Sequence, residues 1–174
     1  LKQVELLTRE QFFEEIGHVY SGDFSLVTVH PETLFPENTK RLITNTIEAL
    51  NDFPDLNVLI TYPNADVGSA TIIREIERWG LVSPGRVCIR KSLGHRLYVN
   101  ALEHSVVVVC NSSSGIIEAP SFGVPVVNIG SRQTGRESAQ SVIHCSIDKN
   151  EIIESVEKEL GVEFRYIAET IENP

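Results

Sequence analysis

The feature that most constrains the fold is a series of short, continuous apolar runs separated by helix-forming segments. Because these runs do not alternate between apolar and polar residues, both faces of each strand are expected to be buried. Strands of this kind that alternate with helices predict one doubly wound α/β domain, a parallel sheet with helices on both sides, over residues 1–174. The six runs that indicate strands are 24–30, 57–62, 86–91, 105–110, 124–130 and 141–145.

Helix boundaries are predicted from capping residues and glycines. Thr8 and Gln11 have the spacing of a capping box, for a helix that stops at Gly17. Pro120 lies too far inside the segment after Asn111 for a first-turn position, so that helix is expected to be short or kinked. The other predicted helices are 38–51, one capped by Ser69 and ending at Gly80, 97–103, and one from Asp148 to Gly161 that precedes a last amphipathic stretch.

The chain is acidic, with a formal net charge of −9 over 174 residues. This charge argues against nucleic acid or an anionic membrane surface as a partner, although an acidic protein can carry a locally positive pocket. No apolar run approaches the roughly 20 residues of a membrane span. The cysteines at 88, 110 and 145 lack a zinc-type spacing, so we expect buried thiols in a reducing cytoplasm and no metal site.

A polar turn, Asn111–Gly115, directly follows the fourth apolar run. In parallel α/β sheets, ligands bind beyond the carboxyl ends of the strands, which is where this turn is expected. Its serines offer hydroxyl groups, the next helix offers free N–H groups, and Gly115 lets a bulky anion approach the backbone. The turn is therefore a candidate diphosphate site; the competing interpretation is that the serines only cap the helix. Neither common glycine-rich nucleotide motif is present.

Four further side chains are candidates for the same site. A carboxylate such as Glu118 accepts two hydroxyl groups at once, which suits a ribose diol, although its position alone favours a helix-capping acid. His30 ends the first apolar run, where a histidine is either a solvated loop residue or a donor to a phosphate. Arg132 and Arg136 are candidate partners of a phosphate, or else a solvated pair.

Several of these residues stand in longer stretches that resemble one enzyme family, the UDP-N-acetylglucosamine 2-epimerases of the hydrolysing type found in sialic acid pathways. The similarity is to their C-terminal half and extends over about residues 24–145. It implies a Rossmann-like domain that forms one half of a two-domain fold of the GT-B type, with a UDP-sugar in the cleft between the halves. The matching stretches are HPET (30–33), YPNADVGS (62–69), NSSSGIIEAPSFGVPVVNIGSRQTGRE (111–137) and SVIHC (141–145).

The resemblance also implies roles for individual residues. It assigns phosphate contacts and assistance in the chemistry to His30, and the ribose to Glu118. It puts Asn64 beside the nucleotide and Leu93 against the uracil. The residues that complete the implied UDP site are Ser112 and Ser113, which match the diphosphate-binding serines, with Ser114 and Gly115 beside them, and Arg132.

The implied reaction is elimination of UDP from UDP-N-acetylglucosamine, followed by addition of water, which gives N-acetylmannosamine and UDP without a cofactor. In the family, the acid–base carboxylates lie mainly in an N-terminal domain of similar length. These 174 residues alone are therefore expected to bind UDP weakly and not to turn over, and the full-length protein is expected to be a homo-oligomer. Three alternatives stay open: the same chemistry on UDP-N,N′-diacetylbacillosamine, a B-type glycosyltransferase, and a nucleotide-binding module without catalysis.

Overall fold

Six parallel strands form one sheet in the computed structural model, which describes residues 4–32 and 34–170. Their order across the sheet is β3-β2-β1-β4-β5-β6, and every neighbouring pair is parallel. The prediction of a doubly wound α/β fold is confirmed, including its sixth strand. The strands are β1 (Phe24–Thr28), β2 (Asn57–Thr61), β3 (Val87–Arg90), β4 (Val107–Cys110), β5 (Val126–Ile129) and β6 (Val142–Cys145).

Helices cover both faces of this sheet, which explains why the strands are continuous apolar runs. Leu26 of β1 packs into the core on the side of α1 and α4, whereas its neighbour Val27 packs on the side of α2, α3 and α6. Both side chains are buried, so both faces of the strand are covered, and the polar Ser25 beside them is buried with its Oγ donating to the backbone carbonyl of Asn57 at 3.2 Å. The helices are α1 (Arg9–Ile16), α2 (Thr39–Asn51), α3 (Ser69–Val82), α4 (Gly94–His104), α5 (Ser113–Glu118), α6 (Lys149–Leu160) and α7 (Val162–Thr170).

Some helix boundaries are as predicted. The capping box of Thr8 and Gln11 is present, and Gly17 ends α1 in the left-handed conformation. Asp148 caps α6, where its Oδ1 accepts from the backbone N–H of Asn150 at 2.9 Å. The helix after the serine turn is short, because α5 ends at Glu118 and a 3-10 turn containing Pro120 follows.

Other boundaries were predicted wrongly. Ser69 is the first residue of α3 rather than its cap, and Gly68 holds the cap position with a φ of 96°, which favours glycine. Gly80 does not end α3, which continues to Val82. A Cβ at Gly80 would lie 2.5 Å from Cδ1 of Ile89, so glycine is explained here by close packing on β3. α4 begins at Gly94, three residues before the predicted start. Thr33 of the HPET stretch lies outside the described residues.

Arg86 ties the end of α2 to the start of β3. Its guanidinium donates to the backbone carbonyls of Leu56 (2.9 Å), Phe53 (3.0 Å) and Leu50, and to Oδ1 of Asn51 (2.9 Å). Carbonyls at a helix C-terminus lack intrahelical partners, and a cation is favoured there. Arg86 therefore completes the C-terminal turn of α2.

Replacing Arg86 with lysine is expected to destabilise the protein by about 1 to 2 kcal/mol, because a single ammonium cannot reach four acceptors in a planar fork. The measurement is the urea midpoint of unfolding. Arg78→Lys is the matched control, since Arg78 is exposed and pairs with Glu75 on its own helix. A midpoint for Arg86→Lys equal to that of the control would contradict this role.

A buried carboxylate is present in α6. The side chain of Glu159 is fully buried, and within residues 4–32 and 34–170 neither of its oxygens accepts a hydrogen bond of normal geometry. Burial raises the pKa of Glu159 from 4.5 to about 8, although the backbone N–H of Ile143 and the charge of Lys158 oppose this shift. Glu159 is thus a destabilising group whenever it ionises.

Candidate functional site

One cavity of about 690 Å³ opens at the carboxyl ends of the strands. The sheet order reverses between β1 and β4, and open α/β sheets bind ligands outside the strand ends at this position. Among the described residues, three cationic side chains and one carboxylate line the cavity, so it is locally positive on an acidic chain. The predicted residues that line it are His30, Asn64, Leu93, Ser112, Ser113, Ser114, Glu118 and Arg132.

His30 follows β1 and is held in one orientation. Its Nδ1 accepts a hydrogen bond from the backbone N–H of Asn64 at 3.1 Å. Burial lowers the pKa of His30, the nearby charge of Arg132 lowers it further, and Asp66 partly opposes both. A neutral imidazole that accepts at Nδ1 carries its proton on Nε2. His30 is therefore set to donate from Nε2 and not to act as a fixed cation.

Arg132 brings a positive charge to the loop after β5. Its Nη1 donates to the backbone carbonyl of Pro31 at 2.9 Å, and its Nη2 lies 3.6 Å from Oδ2 of Asp66. The side chain is 22% exposed, so it is anchored at one end and open to the cavity. Arg136 and Lys91 are exposed at the rim. These cations suit an anionic ligand.

The serine turn joins β4 to α5. Ser112 is the N-cap of α5, and its Oγ accepts from the backbone N–H of Gly115 at 3.3 Å. Ser113 and Ser114 begin the helix and are among the residues that line the cavity. The capping role of Ser112 does not remove the turn from the cavity, because Ser112, Ser113 and Ser114 all line it.

Gly115 is the one predicted site residue that does not line the cavity. The expectation that it leaves room for an anion needs correction, because a side chain at this position would project towards β4. A Cβ built at Gly115 would lie 2.3 Å from Sγ of Cys110, which is fully buried. The glycine is therefore explained by close packing of α5 on β4.

Glu118 stands at the end of α5 with an unsatisfied oxygen. Its Oε2 is buried and accepts no hydrogen bond within the described part of the chain. Tyr98 of α4 lies near it: burial raises the pKa of the Tyr98 hydroxyl, and the charges of Cys110 and Glu118 add to this shift. A carboxylate in this setting favours a ligand that brings hydroxyl donors.

Several lining residues were missed by the sequence analysis. Tyr98 is one helical turn beyond Gly94 on α4 and lies inside the helix predicted over 97–103, but no sequence motif marked it as a site residue. Gln133 follows Arg132 directly, inside the stretch 111–137 that carries the family resemblance, and is 5% exposed, but the sequence analysis assigned it no role of its own. The others that line the cavity are Thr28, Thr61, Tyr62, Pro63, Lys91, Ser92, Gly94 and His95. Arg136, which the sequence analysis named as a candidate phosphate partner, lines it as well.

Within residues 4–32 and 34–170, no group of three or more His, Cys, Asp or Glu side chains is arranged to hold a metal ion. In the same part of the chain, no helix is long and apolar enough to cross a membrane.

Known proteins are similar to this chain in sequence and in fold. Residues 2–172 match the family model of UDP-N-acetylglucosamine 2-epimerase. The UDP-N,N′-diacetylbacillosamine 2-epimerase (hydrolyzing) of Legionella pneumophila is 32% identical over 92% of this chain and 42% of its own length. The polysialic acid biosynthesis protein P7 of Escherichia coli is 32% identical over 87% of this chain and 38% of its own length. The chain thus spans about two fifths of the length of these relatives.

Solved structures show the same architecture at lower identity. The UDP-N-acetylglucosamine 2-epimerase of Neisseria meningitidis, bound to UDP-N-acetylglucosamine, superposes with a TM-score of 0.69 at 19% identity, over 95% of this chain and 44% of that one. The C-terminal domain of a group 1 glycosyltransferase from Francisella tularensis superposes with a TM-score of 0.59 at 14% identity, over 95% of this chain and 89% of that one. The fold is therefore that of the C-terminal half of a GT-B protein, and the chain belongs to the UDP-N-acetylglucosamine 2-epimerase family.

Proposed function

We propose that this chain is the nucleotide-binding half of a hydrolysing UDP-N-acetylglucosamine 2-epimerase, which converts UDP-N-acetylglucosamine into N-acetylmannosamine and UDP. The observation that carries the proposal is the cavity at the β1/β4 reversal, where His30, the serine turn and Arg132 meet. The family match supports the reaction class. The epimerase of Neisseria meningitidis, which has been solved with UDP-N-acetylglucosamine, supports a UDP-sugar as the ligand.

The chemistry required of this half is stabilisation of the leaving UDP. When the bond between the sugar C1 and the phosphate oxygen breaks, the electron pair stays on that oxygen, and negative charge develops on the diphosphate. Donation from Nε2 of His30, from the hydroxyls of Ser113 and Ser114 and from Arg132 lowers the free energy of that charge. The C2 proton lost in the elimination goes to a base that is none of the residues named above. The family resemblance assigns this base to the other domain.

The nucleoside end of UDP is assigned to the other side of the cavity. Glu118 accepts hydrogen bonds from the ribose hydroxyls, which satisfies a carboxylate oxygen that is otherwise buried without a donor. Leu93 is 9% exposed at the start of α4 and packs on the uracil. Asn64 lies beside the nucleotide while its backbone N–H holds His30.

A second candidate substrate is favoured by a specific observation. The relative from Legionella pneumophila is named for the same hydrolysing epimerisation of UDP-N,N′-diacetylbacillosamine. The roles proposed above for His30, the serine turn and Arg132 concern the diphosphate, which both sugars carry. The two candidates therefore share this site and differ only in the sugar that is released.

Titration calorimetry of the chain with UDP, UMP and CDP tests the proposal. We expect saturable binding of UDP, weaker binding of UMP because it lacks the second phosphate, and weaker binding of CDP because it lacks uracil. Arg132→Ala is expected to weaken UDP by about tenfold or more and to remove most of the preference of UDP over UMP. Arg78→Ala, on the exposed face of α3, serves as the charge-matched control and should leave both affinities unchanged.

Two results would contradict the proposal. The first is the lack of saturable UDP binding at millimolar concentration. The second is an Arg132→Ala protein that weakens UDP and UMP equally, which would separate Arg132 from the second phosphate.

A further inference from the structure

Asn111 is a fully buried amide that is paired with the backbone of His30. Its Oδ1 accepts from the N–H of His30 at 2.7 Å, and its Nδ2 donates to the C=O of His30 at 2.8 Å. The last paired residues of β1 and β4 are Thr28 and Cys110, and the N–H of Asn111 also donates to the C=O of Thr28 at 3.3 Å. The side chain thus extends the β1–β4 pairing past the end of the strands, in the manner of a peptide group.

Gln133 holds Asn111 from the loop after β5. Its Nε2 donates to the backbone carbonyl of Asn111 at 3.0 Å, and the side chain is 5% exposed. This bond joins two loops 22 residues apart in sequence. Together with the bond from the backbone of Asn64 to the ring of His30, it connects the loops after four strands. The orientation of one imidazole is therefore set by a chain of hydrogen bonds through the floor of the site.

The residue type at 111 is restricted by this geometry. A carboxamide offers one donor and one acceptor side by side, which matches the N–H and C=O of one backbone residue. Aspartate lacks the donor, and alanine leaves both backbone groups of His30 buried without partners. His30 is itself 7% exposed, so water is a poor substitute.

We propose that Asn111, secured by Gln133, is the positioning residue of His30: it fixes the backbone from which Nε2 is directed at the ligand. This role rests on the proposed function for its link to the diphosphate, but the placement of the ring is testable without any ligand. Neither residue needs to touch the reacting atoms.

The ring is tested first, by ¹⁵N NMR of the histidine side chains in the chain without ligand. In the native protein, His30 is expected to show a protonated Nε2 and an unprotonated Nδ1 throughout the neutral range. In Asn111→Ala and in Gln133→Met, this single pattern is expected to give way to averaged signals of the two neutral tautomers. An unchanged His30 pattern in both variants would overturn the proposal.

Asn100→Ala is the matched control, because Asn100 is as buried as Asn111 and pairs its amide with the backbone of Leu7 and Glu5. It is expected to lower the stability of the protein while leaving the His30 signals as they are. If Asn100→Ala disturbs His30 as much as Asn111→Ala does, the effect is general loosening and the proposal is overturned. Gln133→Met keeps the test open if Asn111→Ala does not fold.

The link to the ligand is tested by UDP affinity in a double-mutant cycle. His30→Ala and Gln133→Met are each expected to weaken UDP by about tenfold, and the double variant is expected to be no weaker than His30→Ala alone. Fully additive losses would overturn the proposal, because Gln133 would then act independently of His30. If the native chain does not bind UDP, the proposed function fails here, whereas the NMR result still decides the placement of the ring.

Discussion

Gly115→Ala is expected to destabilise the protein by about 3 kcal/mol, a large effect for the addition of one methyl group. The added Cβ would lie 2.3 Å from Sγ of Cys110, and Cys110 has no space to withdraw because its side chain is fully buried in the core. Alanine is otherwise the better helix former by about 1 kcal/mol, and the φ of Gly115 is not left-handed. The loss would therefore be purely steric.

The double variant Cys110→Ala with Gly115→Ala tests this explanation. Removing Sγ leaves Cβ of Cys110 at 3.4 Å and Cγ1 of Val108 at 3.5 Å as the nearest atoms, which is ordinary contact. We expect the two substitutions together to cost much less than the sum of the single costs, with a coupling of about 2 kcal/mol in the free energy of unfolding by urea. Additive costs would show that Gly115 is required for another reason. Because α5 carries the serine turn, Gly115→Ala should also weaken nucleotide binding, and the double variant should recover it.

Glu159→Gln is expected to stabilise the protein by roughly 3 kcal/mol at pH 8.5 and to have little effect at pH 5. In the folded state, burial raises the pKa of Glu159 to about 8, from 4.5 in the absence of burial. Between these two values the folded state holds a proton that the unfolded state has released. The contribution of the protonated Glu159 carboxyl to the free energy of unfolding is therefore fully present below pH 4.5 and is lost as the pH rises towards 8. Glutamine has the same shape and does not ionise, so it removes this loss.

The measurement is the free energy of unfolding at several pH values from 5 to 8.5 for the native and variant chains. Glu157→Gln, two residues earlier on the exposed side of α6, is the matched control and should leave the pH dependence unchanged. A parallel pH dependence for Glu159→Gln and the native chain would mean that Glu159 titrates normally in the folded protein. Loss of an unpaired buried charge is among the larger effects that one substitution can have.

The architecture was predictable from sequence because it depends on a property that each strand carries locally. Leu26 and Val27 face opposite sides of the sheet and are both buried, so the run does not alternate between apolar and polar residues. The end of α3 was not predictable in this way. Gly80 looks like a helix stop, and only the distance to Ile89 on the next strand reveals that it is a packing position.

Much of the candidate site was predictable as well, because its serine, histidine and arginine side chains come shortly after the strands in the sequence. The residues that support the site could not be predicted in this way. The role of Asn111 depends on the backbone of a residue 81 positions earlier, and that of Gln133 on a carbonyl 22 positions earlier. Glu159 has the appearance of a surface residue, and its burial follows from the packing of α6 on β5 and β6 rather than from its own type.

The residues that line the cavity lie between 28 and 136, in strand ends, loops and helices on both sides of the sheet reversal. His30 and the serine turn become neighbours only when β1 pairs with β4, a contact across about eighty residues of chain. Contacts of such long range form slowly and late in folding. The complete cavity therefore arises together with the assembled sheet. A ligand held there would stabilise the whole sheet by mass action, so the nucleotide proposed as its ligand would also raise the free energy of unfolding of the domain that binds it.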